Sequence, residues 1–307
     1  MDTGEGQREK APARTGPKLS SALTAMGALC EALGRMQGEE RMAMNIAKAA
    51  NWLHSVNKAR AVVGWWPAQH MPEDERTAYK VQDAFLKKLV PKQGPVVGYK
   101  IGLTAPQIWE QTGLRSPAYG PTRKKRVFHE KTSVRADRWT RLGVELEIIL
   151  TVNADVPAPN GKDYDKDSIA EYVGDARAGF ELIEDRGADY SRLSALALIM
   201  DLGWNGGSLL GKRNKGWRNL DLANLEGSIS FDGTVVRTGH SGDVMGHCYN
   251  SLAWLANKLG EHGKRLRKGM IVSSGSMVAC QFVPPGSTAV GKIDGLGEVT
   301  LKSKLPK

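Results

Sequence analysis

Cysteine is scarce. The 307 residues hold three, Cys30, Cys248 and Cys280, in neither C-x-x-C spacing nor an even number, which argues against a disulfide framework and against a thiolate zinc site. A reduced, cytoplasmic setting is the expectation. No apolar run approaches the ~20 residues needed to span a bilayer, and the N-terminal residues lack the positive region, short apolar core and small-residue cleavage pattern of a secretory signal. No membrane partner is therefore expected. No dinucleotide fingerprint follows a first strand, and the Gly-rich Gly203-Trp204-Asn205-Gly206-Gly207-Ser208 lacks the lysine of a phosphate loop and reads as a turn. Internal repeats and low-complexity tracts are also missing.

Positive charge is in excess, with 43 Lys and Arg against 33 Asp and Glu, a net +10. The basic clusters at 123–126, 212–215 and 264–268 are small and not interleaved with aromatics, so a nucleic-acid partner is not expected; attraction of small dianionic substrates accounts for the sign equally well. The run Pro121-Thr122-Arg123-Lys124-Lys125-Arg126 reads as a solvated loop, with a funnel for a polyanionic substrate as the alternative.

Hydrophobic residues make up 41% of the chain, enough for a sizeable core in one large domain or two modest ones. Residues 1–18 carry almost no large apolar side chain and are expected to be a disordered, dispensable tail. Residues 19–92 read as a helical N-terminal region. Ser20 or Ser21 caps a first segment, helical patterning resumes over Glu39–Val56, and Trp65-Trp66-Pro67 ends it. A further helix follows Pro72, with Ala78, Val81, Gln82, Phe85, Leu86 and Leu89 on one face, and the remaining residues, 93–307, read as a strand-rich catalytic domain. Within it Asp232-Gly233 is a hairpin signal. Leu252, Leu255, Ala256 and Leu259 mark a late helix.

Two acids interrupt an otherwise apolar strand at Val144-Glu145-Leu146-Glu147-Ile148-Ile149-Leu150. Side chains at i and i+2 share a sheet face, and two carboxylates held together in a mostly buried strand repel unless a cation neutralises them. A set of oxygen donors suits Mg²⁺, Mn²⁺ or Ca²⁺; the plain alternative is a wet strand face. Glu181, between Phe180 and Leu182, is a third such acid. Either it joins the first two or it pairs with Arg186, while Glu184 and Asp185 read as surface or salt-bridge residues. Three convergent carboxylates would leave about three positions of an octahedral ion for water and substrate.

Lys100, in Gly98-Tyr99-Lys100-Ile101-Gly102-Leu103-Thr104, falls at the end of a strand. Beside a divalent cation its ammonium form is disfavoured, which lowers its pKa toward a range useful for proton transfer; otherwise it is an edge-strand surface lysine. His240, Ser241 and Asp243 are too close in sequence to form a nucleophilic triad, and His247 reads as a helix cap.

The order of the Lys100 segment, Val144-Glu145-Leu146-Glu147 and Phe180-Glu181-Leu182-Ile183 resembles the 2-keto-4-pentenoate hydratase and 2-oxo-3-hexenedioate decarboxylase branch of the fumarylacetoacetate hydrolase superfamily. Further likeness runs through Met200-Asp201-Leu202 to Gly211, Gly246-His247 to Ala256, Gly269 to Ser276 and Ile293 to Gly297. The resemblance implies an α+β fold, a mixed β-roll with flanking helices. It also implies Mg²⁺ or Mn²⁺ on Glu145, Glu147 and Glu181, Lys100 as acid/base, a small 2-oxo acid or 2-hydroxydienoate substrate, and a homo-oligomer. The chain departs from the family pattern at Ala118, where relatives carry an acid before the aromatic-Gly pair, at Leu202 in place of Asn, and at Cys248 in place of Pro. Loss of the acid puts hydration in doubt unless another group, such as His129 or Asp201, replaces it.

Overall fold

The computed structural model describes residues 45–106 and 109–306, together with Met1. The expected tail and the first helical segment thus lie outside the described residues, as does Cys30. Residues 46–307 cluster as one compact unit.

Helix α1 (residues 45–59) buries Ala49, Ala50, Leu53 and Val56. Helix α2 (Glu75–Gln93) is capped by Asp74, whose carboxylate accepts the Thr77 N–H at 2.7 Å. Its buried face is Ala78, Val81, Gln82, Phe85 and Leu89, with Leu86 at the margin. Gln82 donates through its side-chain amide to the carbonyls of Tyr119 (3.0 Å) and Ile199 (2.7 Å), pinning α2 over the sheet. The helix continues through Pro91 and stops at Gly94, whose φ of 81° ends it. The remaining helices are α3 (Trp109–Thr112), α4 (Lys166–Ala170), α5 (Ala195–Met200) and α6 (Cys248–Glu261). Leu252, Leu255, Ala256 and Leu259 are the buried face of α6.

The strands form two mixed sheets. The first contains β1 (Val96–Gly102), β2 (Ala118–Arg123), β3 (Val127–His129), β5 (Leu142–Val152), β6 (Val173–Glu184), β7 (Asn205–Leu210), β10 (Ile271–Ser276) and β11 (Gln281–Phe282). Its order is β2-β1-β10-β5-β6-β7-β3, with β11 on the end of β5. The second contains β4 (Lys131–Arg135), β8 (Glu226–Phe231), β9 (Thr234–His240), β12 (Thr288–Ile293) and β13 (Gly297–Lys304), in the order β4-β13-β12-β8-β9. Asp232 and Gly233, both at positive φ, turn β8 into β9.

Alternation along β5 and β6 creates the functional geometry. Leu146 and Phe180 point to the second sheet and reach Gly227 and Gly291 there, leaving no room for a β-carbon at either glycine. Leu146, Ile148, Leu150, Phe180 and Leu182 are fully or almost fully buried, each contributing about 1.5–3 kcal/mol of apolar burial. A slip of one residue would exchange these side chains for the acids. The register is therefore held by the core, and it turns Glu145, Glu147 and Glu181 to the opposite face.

The Gly-rich segment read as a turn is for the most part a strand. Only Leu202–Trp204 turns, and Asn205–Leu210 is β7, paired with both β6 and β3. Its glycines answer a close approach: a β-carbon on Gly206 would lie 2.3 Å from the Trp139 ring.

Candidate active site

Glu145 and Glu181 are directly paired across β5 and β6, and Glu147 lies two residues along β5 on the same face. One carboxylate oxygen from each lies within 4.8 Å of the others. Glu147 and Glu181 are fully buried, while Glu145 is at the more open side. A bulge in β10 between Ser273 and Ser276 helps to hold the cluster. There Gly275, at φ 114°, aims its N–H at Glu147 Oε2 over 3.0 Å; a larger residue would be strained at that φ and would strike Thr104.

Lys100 enters from β1, which is interior to the sheet between β2 and β10 rather than an edge strand. Its Nζ is 3.1 Å from Glu181 Oε2, with both side chains buried. The turn at Gly203 covers its alkyl stem. Arg186, the alternative partner for Glu181, instead donates through Nε and Nη2 to the two carboxylate oxygens of Asp201, at 2.6 and 2.8 Å. Asp185 pairs with Arg141 at 3.0 Å, and Glu184 accepts the Thr140 N–H at 3.0 Å.

Burial and mutual repulsion dominate the titration of the three acids. Burial raises Glu147 well above the usual carboxylate range, and Glu181 and Glu145 add to it, opposed by Lys100 and the Gly275 N–H. Burial likewise lifts Glu145, against Lys100. Glu181 is pushed up to about 7 by burial, with Lys100 opposing and Glu145 reinforcing. Around Lys100 burial disfavours the ammonium, but the three carboxylates taken alone, Glu181, Glu145 and Glu147, outweigh it and raise the pKa. A lowered lysine pKa requires that the carboxylate charge be neutralised.

The donor set tests whether a cation fits. Glu147 Oε1 is buried without a hydrogen-bond partner among the described residues, a costly arrangement for an anionic oxygen. All three candidate donor groups are carboxylates. Such a set fits a hard divalent cation and not a thiolate-seeking metal.

Two further residues belong to the site and were not recognised from sequence. Asn205 donates to Glu181 Oε1 at 3.0 Å, and its own Oδ1 and carbonyl accept from Arg123 at 3.1 and 2.8 Å. Arg123 is 3% exposed and also donates to Gln93 at 3.0 Å. The basic run is therefore neither a solvated loop nor a funnel as a whole: Arg123 is buried, Arg126 is half-buried on the Trp139 ring, and only Lys124 and Lys125 face outward. Asn205 sat in a Gly-rich stretch with no alternation to betray a strand.

Ala118 is fully buried at the start of β2, opposite Gly102 and two residues from the partner of Lys100, Gly120. It therefore lies on the Lys100 face. Neither suggested substitute for the missing acid is well placed as a proton donor. Asp201 is committed to Arg186, and His129 is exposed on β3. Asp201→Ala is expected to act through the fold, because it leaves a guanidinium that is 4% exposed without a counter-ion, a loss of about 3–5 kcal/mol. Urea unfolding should show the lower midpoint, and an unchanged midpoint would contradict a structural pair.

Elsewhere the weaker candidates resolve into structure. His240 binds Asn224 at 2.9 Å and accepts from Gly242 N–H at 3.1 Å, while Ser241 Oγ accepts the Leu225 N–H at 2.8 Å, so the three-residue constellation builds a turn. His247 caps α6 by accepting the Tyr249 N–H at 3.0 Å. Cys248 is buried and its thiol is pushed up to about 12 by desolvation. Among the described residues no helix is long and apolar enough to cross a membrane.

No protein-family model matches the chain. A 2-keto-4-pentenoate hydratase from Paraburkholderia phymatum is 27% identical over 232 residues, covering 74% of this chain and 86% of the relative. A 4-oxalocrotonate decarboxylase from Pseudomonas putida is 25% identical over 225 residues, covering 73% and 84%. A solved 4-oxalocrotonate decarboxylase of Pseudomonas putida, complexed with magnesium and adipate, superposes with a TM-score of 0.78 over 86% of this chain and 98% of its own, at 22% identity. Sequence likeness over most of both lengths and the shared fold make the chain similar to the 2-keto-4-pentenoate hydratases and 4-oxalocrotonate decarboxylases and support its reading as a relative of that branch.

Proposed function

We propose that the protein is a divalent-metal-dependent lyase acting on a short 2-oxo acid or 2-hydroxydienoate, a hydratase of the kind used in aromatic ring-cleavage catabolism. The observation that carries the reading is the meeting of three buried carboxylates and Lys100 on one face of the first sheet. Glu145, Glu147 and Glu181 would hold Mg²⁺ or Mn²⁺. The ion would supply the positive charge that stabilises the enolate form of a 2-oxo acid.

The chain's own groups do the rest. Glu181 and the Gly203 turn fix Lys100 Nζ, which moves the proton between the substrate carbon skeleton and the site. Asn205 holds Glu181 by its second oxygen, so that the carboxylate keeps its orientation when Lys100 changes charge. The intact acidic set and its buried, unpartnered oxygen argue against a catalytically weakened binding or assembly partner. A homo-oligomer with no nucleic-acid partner completes the proposal.

Ala118 favours a second reading, 2-oxo-3-enedioate decarboxylation. Hydration needs a group to deliver water to the distal double bond, whereas release of CO₂ needs chiefly an electron sink. Ala118→Asp is expected to raise hydration of 2-hydroxydienoates by about tenfold or more and to change CO₂ release little. Dienoate loss followed by ultraviolet absorbance, beside CO₂ release from a 2-oxo-enedioate, with Mg²⁺ and with Mn²⁺, tests both readings. Brisk hydration by the native protein that Ala118→Asp leaves unchanged would remove the decarboxylase reading; turnover of neither substrate class would remove the proposed function.

A further inference from the structure

Behind the carboxylates, beyond Asn205, lies a cavity of about 170 Å³. At ~30 Å³ per water molecule it has room for about five or six waters, the scale of one small ion. Five guanidinium groups line it: Arg60, Arg123, Arg126, Arg138 and Arg186. The acids on its wall are Glu184 and Asp201, and each already has a partner, Thr140 N–H and Arg186 respectively. The wall therefore carries an excess of three positive charges.

Such an excess is costly where the groups are buried. Arg123 and Arg186 are 3% and 4% exposed, and burial, followed by repulsion from Arg126 and Arg186, holds the Arg123 pKa down to about 9. Asp201 neutralises one of the two; the contacts of Arg123 are with neutral oxygens of Pro121, Asn205 and Gln93. Arg126 sits over the Trp139 ring and, among the described residues, donates through Nε to the Gly206 carbonyl, so its terminal nitrogens are not used there. Planar guanidinium forks presented around a small polar cavity match the oxygens of phosphate or carboxylate.

We propose that this cavity is a binding site for a compact oxyanion of charge two or more, separate from the carboxylate face and linked to it through Asn205 and the Leu202–Trp204 turn. Inorganic or ester phosphate and the carboxylates of a short diacid share the required chemistry. The site stands whichever reaction the carboxylate face supports.

Calorimetric titration of the metal-free full-length chain with inorganic phosphate, and separately with succinate, at low ionic strength tests the proposal. One anion per chain is expected to bind, and the affinity should fall about tenfold or more when Arg60 and Arg138 are together changed to Gln. Both side chains are exposed at the mouth, so the double variant should keep the native melting temperature. Arg126→Gln, deeper in the wall, should weaken binding similarly. Saturable binding of phosphate alone identifies phosphate as the occupant, and preference for succinate identifies a diacid; either supports the site when the arginine variants lose it. Absence of binding for both anions, or binding unchanged in the variants, would overturn it.

Discussion

Lys100→Met is expected to lower the turnover number by about 10²-fold or more, the usual scale for removing a positioned acid/base group, while leaving divalent-cation binding in place. Methionine approximates the lysine stem, so packing beneath the Gly203 turn is kept and the ammonium is lost. The lost ion pair with Glu181 leaves that carboxylate with Asn205 and its neighbouring acids, which increases the need for a cation. Divalent affinity should therefore be equal or greater in the variant. Single-turnover kinetics alongside metal titration separate the two effects. Unchanged turnover would return Lys100 to the role of a buried counter-ion.

Glu147→Gln is expected to reduce divalent affinity by about 10²-fold or more, because a charged ligand in a three-carboxylate set is replaced by a neutral one. Without metal the same change should stabilise the protein at neutral pH. The sign follows from the raised carboxyl pKa values. A carboxyl raised in the folded state favours folding at low pH, and that advantage is withdrawn as pH climbs from the unfolded value to the folded one. For Glu181 this window runs from 4.5 to about 7, on the order of 3 kcal/mol before any relaxation of the site. Removing one charge of the trio relieves the repulsion, so metal-free Glu147→Gln should lose less stability than the wild type between pH 5 and about 8. Thermal unfolding across that range measures it. A variant that is less stable at pH 8 and still binds metal would contradict the account.

The acids were legible because their alternation is visible in one dimension. Glu145 and Glu147 break an apolar run at the period of a strand, and Glu181 breaks another, so burial and a shared face could be argued from spacing alone. The hairpin at Asp232-Gly233, the cap at His247 and the buried face of α6 were readable for the same local reasons. What could not be read were contacts that depend on strand order. The Lys100 segment reads as an edge strand or a strand end because nothing in it tells that β10 pairs beside it. Arg123 sits in a run of charges that resembles a wet loop, yet its guanidinium is buried because Asn205, 82 residues later, supplies two acceptors. Asn205 itself was hidden among glycines, whose presence reflects the Trp139 ring pressed on β7. The raised Lys100 pKa of the carboxylate site taken alone comes from three carboxylates acting together, a sum that the heptapeptide around it does not contain.

The most direct test of the central claim is a titration of the wild-type chain with Mn²⁺, counting unbound ion by electron paramagnetic resonance at a series of pH values. One Mn²⁺ per chain is expected, with affinity rising as pH passes about 7, where Glu181 gives up its proton, and with the site lost in Glu145→Gln, Glu147→Gln and Glu181→Gln. Absence of stoichiometric binding, or wild-type binding in the Gln variants, would contradict it.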